Sequence, residues 1–136
     1  MEFIKSIMIA ATGLKAQTGR MRVIAENLAN ANSVSQTPGG EPYRRRIPVM
    51  QASFSRELDA LIVKTGKPIA DKSEFKLRYM PGHPAANEDG YVSTPNVNSL
   101  IESMDMRAAQ RTYEANLNVI TSARRMVQRT IDILRA

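Results

Sequence analysis

At 136 residues, with seven glycines, seven prolines and no cysteine, the chain has the length of one domain, or of one small domain with extensions. Disulfide frameworks, thiolate metal sites and cysteine nucleophiles are excluded. Tryptophan is absent, aromatics make up 5% and the apolar fraction is 43%, a little under the usual ~45–50%, so the large rings that anchor a globular core are scarce and long helices or assembly must compensate. A formal net charge of +6 invites a nucleic-acid or acidic-membrane reading, which the placement of the charges has to decide.

The first element starts in "MEFIKSIMIAATGL". Glu2 and Lys5 straddle its apolar residues and the pattern runs on as an amphipathic helix, so neither a cleaved signal peptide nor a membrane span is expected. Ile4, Ile7, Ala11, Leu14, Thr18, Met21, Ala25 and Leu28 recur at spacings of three and four, the pattern of a coiled-coil seam. Gly13 and Gly19 each cost such a helix about 1 kcal/mol relative to alanine, which makes it marginal alone in water.

The helix pattern closes on "NLANANS". Asparagine is a poor interior residue because its amide competes for backbone groups, yet it tolerates the left-handed conformation at a helix end. Asn32 is the expected terminator. Asn27 and Asn30, three apart, share a face from which their amides either cap and meet solvent or bond to a neighbouring helix and fix its register.

"YRRRIPVMQASF", "LDALIV" and "EFKLRYM" are strand-like stretches divided by turn chemistry at Pro38-Gly39-Gly40, Gly66-Lys67-Pro68, Pro81-Gly82 and Asp89-Gly90, and together they predict a small, irregular β-containing module. Arg44, Arg45 and Arg46 fall in a strand, where alternate side chains face opposite sides, so one arginine should differ in environment from the other two. A charge-protected edge strand and an intersubunit role both fit that cluster.

The return helix begins after "PNVNS", with Pro95 directing the chain and Asn98 or Ser99 as cap, and runs from Leu100 almost to Ala136. One stripe on it is Ile101, Met104, Ala108, Ala115, Val119 and Met126. A second is Met106, Ala109, Tyr113, Ile120, Ala123, Val127 and Leu134. Two stripes imply more than one partner helix. The expected fold is thus mainly α with a small β module: long N- and C-terminal helices packed antiparallel as a coiled coil around an irregular middle. The segments are 1–32, 33–99 and 100–136.

Site chemistry is sparse. His83 sits in a turn-rich loop near Glu88 and Asp89 with no second nitrogen or sulfur ligand nearby in sequence, and adjacent carboxylates in an Asp-Gly turn point apart. No glycine-rich phosphate cradle opens a helix. No catalytic residue, metal ligand, cofactor or small-molecule substrate is expected. The arginines of the last helix are spread around it among Glu102, Asp105, Glu114 and Asp132, whereas a groove-binding helix would segregate them. A basic helical nucleic-acid-binding protein is nevertheless the alternative that the charge permits.

"ENLANANS", "GGEPYRRR", "PGHPAANEDGYVSTPNVN" and "MDMRAAQRTYEANLNVI" occur in that order along the chain. Together they resemble the flagellar basal-body proximal rod proteins of the FlgC type, within the bacterial family of rod and hook axial proteins. The resemblance runs from end to end, with little signature between about 51 and 73. It implies a non-enzymatic structural subunit whose terminal helices join those of its copies and of other rod proteins in the inner tube of a hollow drive shaft. It implies export by the flagellar export apparatus without a cleaved signal, and a place in the rod across the periplasm. No nucleic acid is then expected as a partner. The residues expected at assembly interfaces are Ile7, Ala11, Leu14, Met21, Asn27, Leu28 and Asn30 on the first helix, and Met104, Met106, Tyr113, Asn116, Ile120, Met126 and Val127 on the last. Asn32, Asp89, Gly90, Pro95 and Asn98 are expected to shape turns and caps.

Overall fold

Two helices bracket six short strands in a computed structural model that describes residues 2–135. Helix α1 spans Glu2–Ala29 and α2 spans Ser99–Arg135. Between them lie β1 (Arg46–Ile47), β2 (Met50–Ser55), β3 (Ala60–Thr65), β4 (Ile69–Ala70), β5 (Lys76–Tyr79) and β6 (Tyr91–Thr94). The strands form three antiparallel pairs, β1 with β4, β2 with β3 and β5 with β6, so every strand has one unpaired edge within its sheet. The strand-like stretches read from sequence contain β1 and β5 and overlap β2 and β3, which run on by one and two residues. Strands β4 and β6 are additional.

The chain packs as two compact units. One comprises Met1–Met21, Val49–Gly66 and Arg107–Ala136, the other Arg22–Pro48 and Lys67–Met106. In the first unit, the interior is small: Ala10, Ala16, Ala109 and Ala123 are its buried apolar residues. Gly13 faces Asn116 so closely that a Cβ there would lie 2.9 Å from the Asn116 amide nitrogen. Strand β3 lies against α1, where the Val63 amide donates to Thr12 Oγ1 at 3.4 Å and Gly19 faces Thr65. Burying an alanine methyl contributes only about 0.8 kcal/mol, against about 1.5–3 for a whole Leu or Ile side chain, so this interior stabilises weakly.

The row of α1 that is buried is therefore not the one the apolar spacing selected. Ala10, Gly13 and Gln17 point inward, whereas Ile4, Ala11 and Thr18 are exposed and Ile7 and Leu14 half-buried. The packed row lies one residue earlier, about 100° around the helix. Small side chains let two helices approach closely, and a search for large apolar residues passes over them. On α2 both stripes exist. Ala109 and Ala123 are buried with Tyr113, Ile120 and Val127 half-buried beside them, while Met104 (63% exposed), Val119 and Met126 lie open.

Gln17 is 8% exposed, with Nε2 3.9 Å from Met50 Sδ and Oε1 lacking a hydrogen-bond partner among the described residues. An unsatisfied buried acceptor carries a desolvation penalty of about 1–3 kcal/mol. Gln17→Met keeps the volume and removes that acceptor. It is expected to raise the unfolding free energy by ~1 kcal/mol in a urea titration, and a lowered midpoint would contradict this account.

In the second unit Val23, Ile24, Ala85, Val92 and Val97 are buried, along with Asn27, Ser35 and Glu102. The Asp89-Gly90 turn joining β5 to β6 needs its glycine, since Gly90 has φ +81° and a Cβ there would meet Tyr79 at 3.0 Å and Pro81 at 3.1 Å. Gly90→Ala combines left-handed strain with that crowding and is expected to cost about 1–3 kcal/mol, checked by its thermal midpoint. Asn87 organises the same turn, its Oδ1 accepting from the Asp89 amide at 3.1 Å and the Tyr91 amide at 2.8 Å.

Candidate functional site

The most developed polar constellation lies in the second unit and begins at Asn27, which α1 delivers with no exposed surface. Its Nδ2 donates to the Arg46 carbonyl at 2.8 Å and to Glu102 Oε2 at 3.1 Å. Its Oδ1 accepts from the Tyr43 hydroxyl and the Arg46 amide, both at 2.9 Å. An amide side chain offers two donors and two lone pairs, and here all of them are engaged within the chain. The opening asparagine of "NLANANS" thus joins its own chain rather than solvent.

Glu102, at 1% exposure, accepts from Arg45 Nε at 2.6 Å through its other oxygen. Arg45 Nη1 lies 3.3 Å from Asp71 Oδ2, and the Arg45 amide donates to Asn96 Oδ1 at 2.8 Å. Asn96 in turn donates to Ser73 Oγ at 2.8 Å. A buried carboxylate is tolerated only when paired and hydrogen-bonded, and Glu102 has both an arginine and an amide. Four segments distant in sequence, around residues 27, 45, 71 and 96–102, are drawn together.

The charges respond to this setting. Burial works against the charged form of Arg45, but the hydrogen bond and charge of Glu102, reinforced by Asp71, outweigh it and hold the guanidinium above its ordinary pKa. The Ser73 amide and side chain hold the Asp71 carboxyl below the usual carboxylate range, with Arg45 adding to the effect. Burial pushes the Tyr43 hydroxyl up, partly offset by Arg46 and reinforced by Glu26 and Glu102.

Only Arg46 of the three consecutive arginines lies in a strand, so strand alternation does not set their environments, and each of the three has its own. Arg45 points to Glu102 and Asp71. Arg44 stacks over Phe75 at 4.2 Å and donates to the carbonyls of Asp71 and Ser73. Arg46 lies 3.4 Å from Glu26 and is more exposed. The cluster is more than a charged edge, because its middle member closes the network.

At the end of α1, Asn30 caps in place of Asn32: its Nδ2 donates to the Glu26 carbonyl at 2.8 Å, while Asn32 is exposed in the following turn. At the start of α2, Asn98 Oδ1 accepts from the Leu100 and Ile101 amides at 3.1 and 3.4 Å, and Pro95 is buried. Asp89 is exposed and Gly90 buried. Of the residues expected at assembly interfaces, Ala11, Met104 and Met126 are exposed. Ile7, Leu14, Met21, Leu28, Asn30, Met106, Tyr113, Asn116, Ile120 and Val127 are half-buried, and Asn27 is enclosed.

His83 Nδ1 accepts from the Ala85 amide at 3.1 Å and shapes its loop. No group of three or more His, Asp or Glu side chains suited to a metal ion occurs among the described residues, and no helix there is long and apolar enough to cross a membrane. Tyr43 and Asn96 were not singled out from the sequence, Arg45 only as one of three consecutive arginines and Glu102 only as one of the acids dispersed on the last helix. The available signal was Glu102 itself, a charge that continues the packed row of Met106 and Ala109 by one turn.

Residues 88–133, which include β6 and most of α2, match the family described as flagellar basal body rod FlgEFG protein C-terminal. Over 132 residues the chain is 47% identical to the flagellar basal-body rod protein FlgC of Agrobacterium fabrum, covering 94% of this chain and 92% of that protein. It is 42% identical to FlgC of Borreliella burgdorferi, covering 98% and 99%, and 38% identical to FlgC of Salmonella typhimurium, covering 92% of each. Likeness of that degree along almost the whole length shows that the chain belongs to the FlgC family of flagellar basal-body rod proteins.

Proposed function

We propose that this chain is a structural, non-enzymatic subunit of the proximal rod of the bacterial flagellar basal body. It polymerises with copies of itself and other rod proteins into the hollow shaft that transmits motor torque to the hook. Family membership carries the class of function. The observation that carries the mode of action is the open apolar row of α2, where Ile101 is 51% exposed, Met104 63%, Val119 48% and Met126 51%. A 37-residue helix with such a row lacks a partner for one face, and burying it against other subunits supplies the stabilisation that an alanine interior does not.

In this reading, 1–32 and 100–136 are assembly helices, packed antiparallel as a coiled coil in the inner tube, and 33–99 is the outer module. The exposed and half-buried residues named as assembly contacts meet neighbouring subunits. The chain reaches the rod, which crosses the periplasm, through the flagellar export apparatus and without signal cleavage. The relatives are rod proteins, and neither they nor the fold favours nucleic-acid binding.

Met104→Lys tests the reading. Placed on an open surface, it is expected to leave the unfolding free energy within about 0.5 kcal/mol of the unsubstituted chain and secretion unchanged, while cells lose motility and isolated basal bodies lack the variant. Motile cells with normal basal bodies would overturn the assembly role of this row.

A further inference from the structure

The β5–β6 hairpin of the second unit carries two features of opposite charge. Lys76 and Arg78, two apart on β5 and so on one face of it, line an open hollow of about 370 Å³ whose wall also includes Asn32, Val97 and Leu100 and contains no Asp or Glu. Lys76 is held in place by donating to the Val97 carbonyl at 3.1 Å, which engages one of its three donors. Arg78 is exposed and adds a planar fork suited to a carboxylate. Asn98 already accepts from the first amides of α2 at the rim, so the pull of this hollow on an anion comes from the two side chains. At the turn end of the same hairpin Glu88 and Asp89 are exposed. They are the only two consecutive acids in the chain, and no Lys or Arg occurs between Arg78 and Arg107. Asn87 Oδ1, by accepting from the Asp89 and Tyr91 amides, presents both acids on a set backbone. Among the described residues no ion pair joins them to Lys76 or Arg78.

We propose that the Glu88-Asp89 turn of one copy of the chain docks in the Lys76-Arg78 hollow of a second copy. The inference rests on the rod-subunit reading and adds a charged contact between middle modules to it. Charge selects both members. A further hollow with two cations, of about 320 Å³ beside Lys15 and Lys64, is built from two exposed lysines and lacks the arginine fork. The other exposed acids stand singly, and Glu57 has Arg56 beside it. Two carboxylates that arrive together answer two cations, so no charge is taken from water without a partner. Because hollow and turn are different surfaces, the contact is heterologous: each copy that receives a turn offers another, and copies join in a row without the contact being self-complementary.

Charge exchange tests the contact. A pocket variant carries Lys76→Glu with Arg78→Glu, and a turn variant carries Glu88→Lys with Asp89→Lys. Each replaces the unsubstituted chain in flagellated cells, and its amount in isolated basal bodies is measured alongside its secretion and its thermal midpoint. Either variant alone is expected to fall roughly tenfold or more in basal bodies, since it sets like charges against each other at every contact. All four substitutions in one chain are expected to restore the amount. Co-expression of the pocket variant with the turn variant is expected to restore it too, because alternating copies then meet with opposite charges. Co-expression cannot repair a contact made within one chain or with a different protein. Either variant present at the unsubstituted level would overturn the proposal, as would losses that neither combination repairs. Repair by the four-substitution chain but not by co-expression would place the contact within one chain and also overturn it. Where a double exchange lowers the thermal midpoint, Arg78→Glu and Glu88→Lys, which leave the Lys76 bond to Val97 in place, go through the same comparisons and are read the same way. All these results leave the rod reading intact, whereas absence of the unsubstituted chain from basal bodies would overturn that reading and this proposal with it.

Discussion

Arg45→Met is expected to lower the unfolding free energy by about 3–5 kcal/mol, measured by urea denaturation. Glu102 is 1% exposed and its 2.6 Å bond to Arg45 Nε is its link to a guanidinium. Removing the arginine leaves a buried carboxylate with only the Asn27 amide to answer it. The arginine alone does not have that value: exchanging both partners, as Arg45→Met with Glu102→Leu, removes the orphaned charge and is expected to recover most of the loss. A single substitution costing under about 1 kcal/mol, or a double variant no more stable than the single, would show that the pair is not the keystone of the second unit.

Asn27→Leu is expected to cost about 3–4 kcal/mol despite similar volume, because it strands the Tyr43 hydroxyl, both backbone groups of Arg46 and one Glu102 oxygen, each unsatisfied buried group carrying about 1–3 kcal/mol before relaxation. Asn30→Ala is the internal control. It loses one bond to the Glu26 carbonyl of its own helix, which is worth about 1 kcal/mol. Thermal midpoints of the two variants side by side check the contrast, and equal shifts would mean that Asn27 acts only as a cap.

Much of the architecture was legible in the sequence. Both helices follow from spacing at three and four with turn residues at their ends, and they fall at Glu2–Ala29 and Ser99–Arg135. Both apolar rows of α2 could be traced, although nothing in periodicity tells which row packs internally. The packed row of α1 was missed because close helix approach selects Ala10 and Gly13 over Leu14 and Met21. Strands β4 and β6 were missed for a different reason: two residues leave no period to detect, and Tyr91–Thr94 alternates weakly. The Asn27 network was least legible, since Asn27 and Glu102 are 75 positions apart and each alone resembles an ordinary helix residue. The family motifs marked "ENLANANS" as a unit, and only geometry divides it into an enclosed Asn27, a capping Asn30 and an exposed Asn32.

The separation between Asn27 and Glu102 also bears on when the second unit can form. Bringing distant residues together incurs loop-closure entropy before any contact rewards it, and contacts of long range form slowly. Asn27, Tyr43 and Arg45 have no acidic partner from α2 until residue 102 has emerged, so a chain presented from its N-terminus remains unable to close this network until three quarters of its length is available. Folding of this unit is thereby timed by the arrival of α2, and the N-terminal part stays pliable while the remainder is still to come.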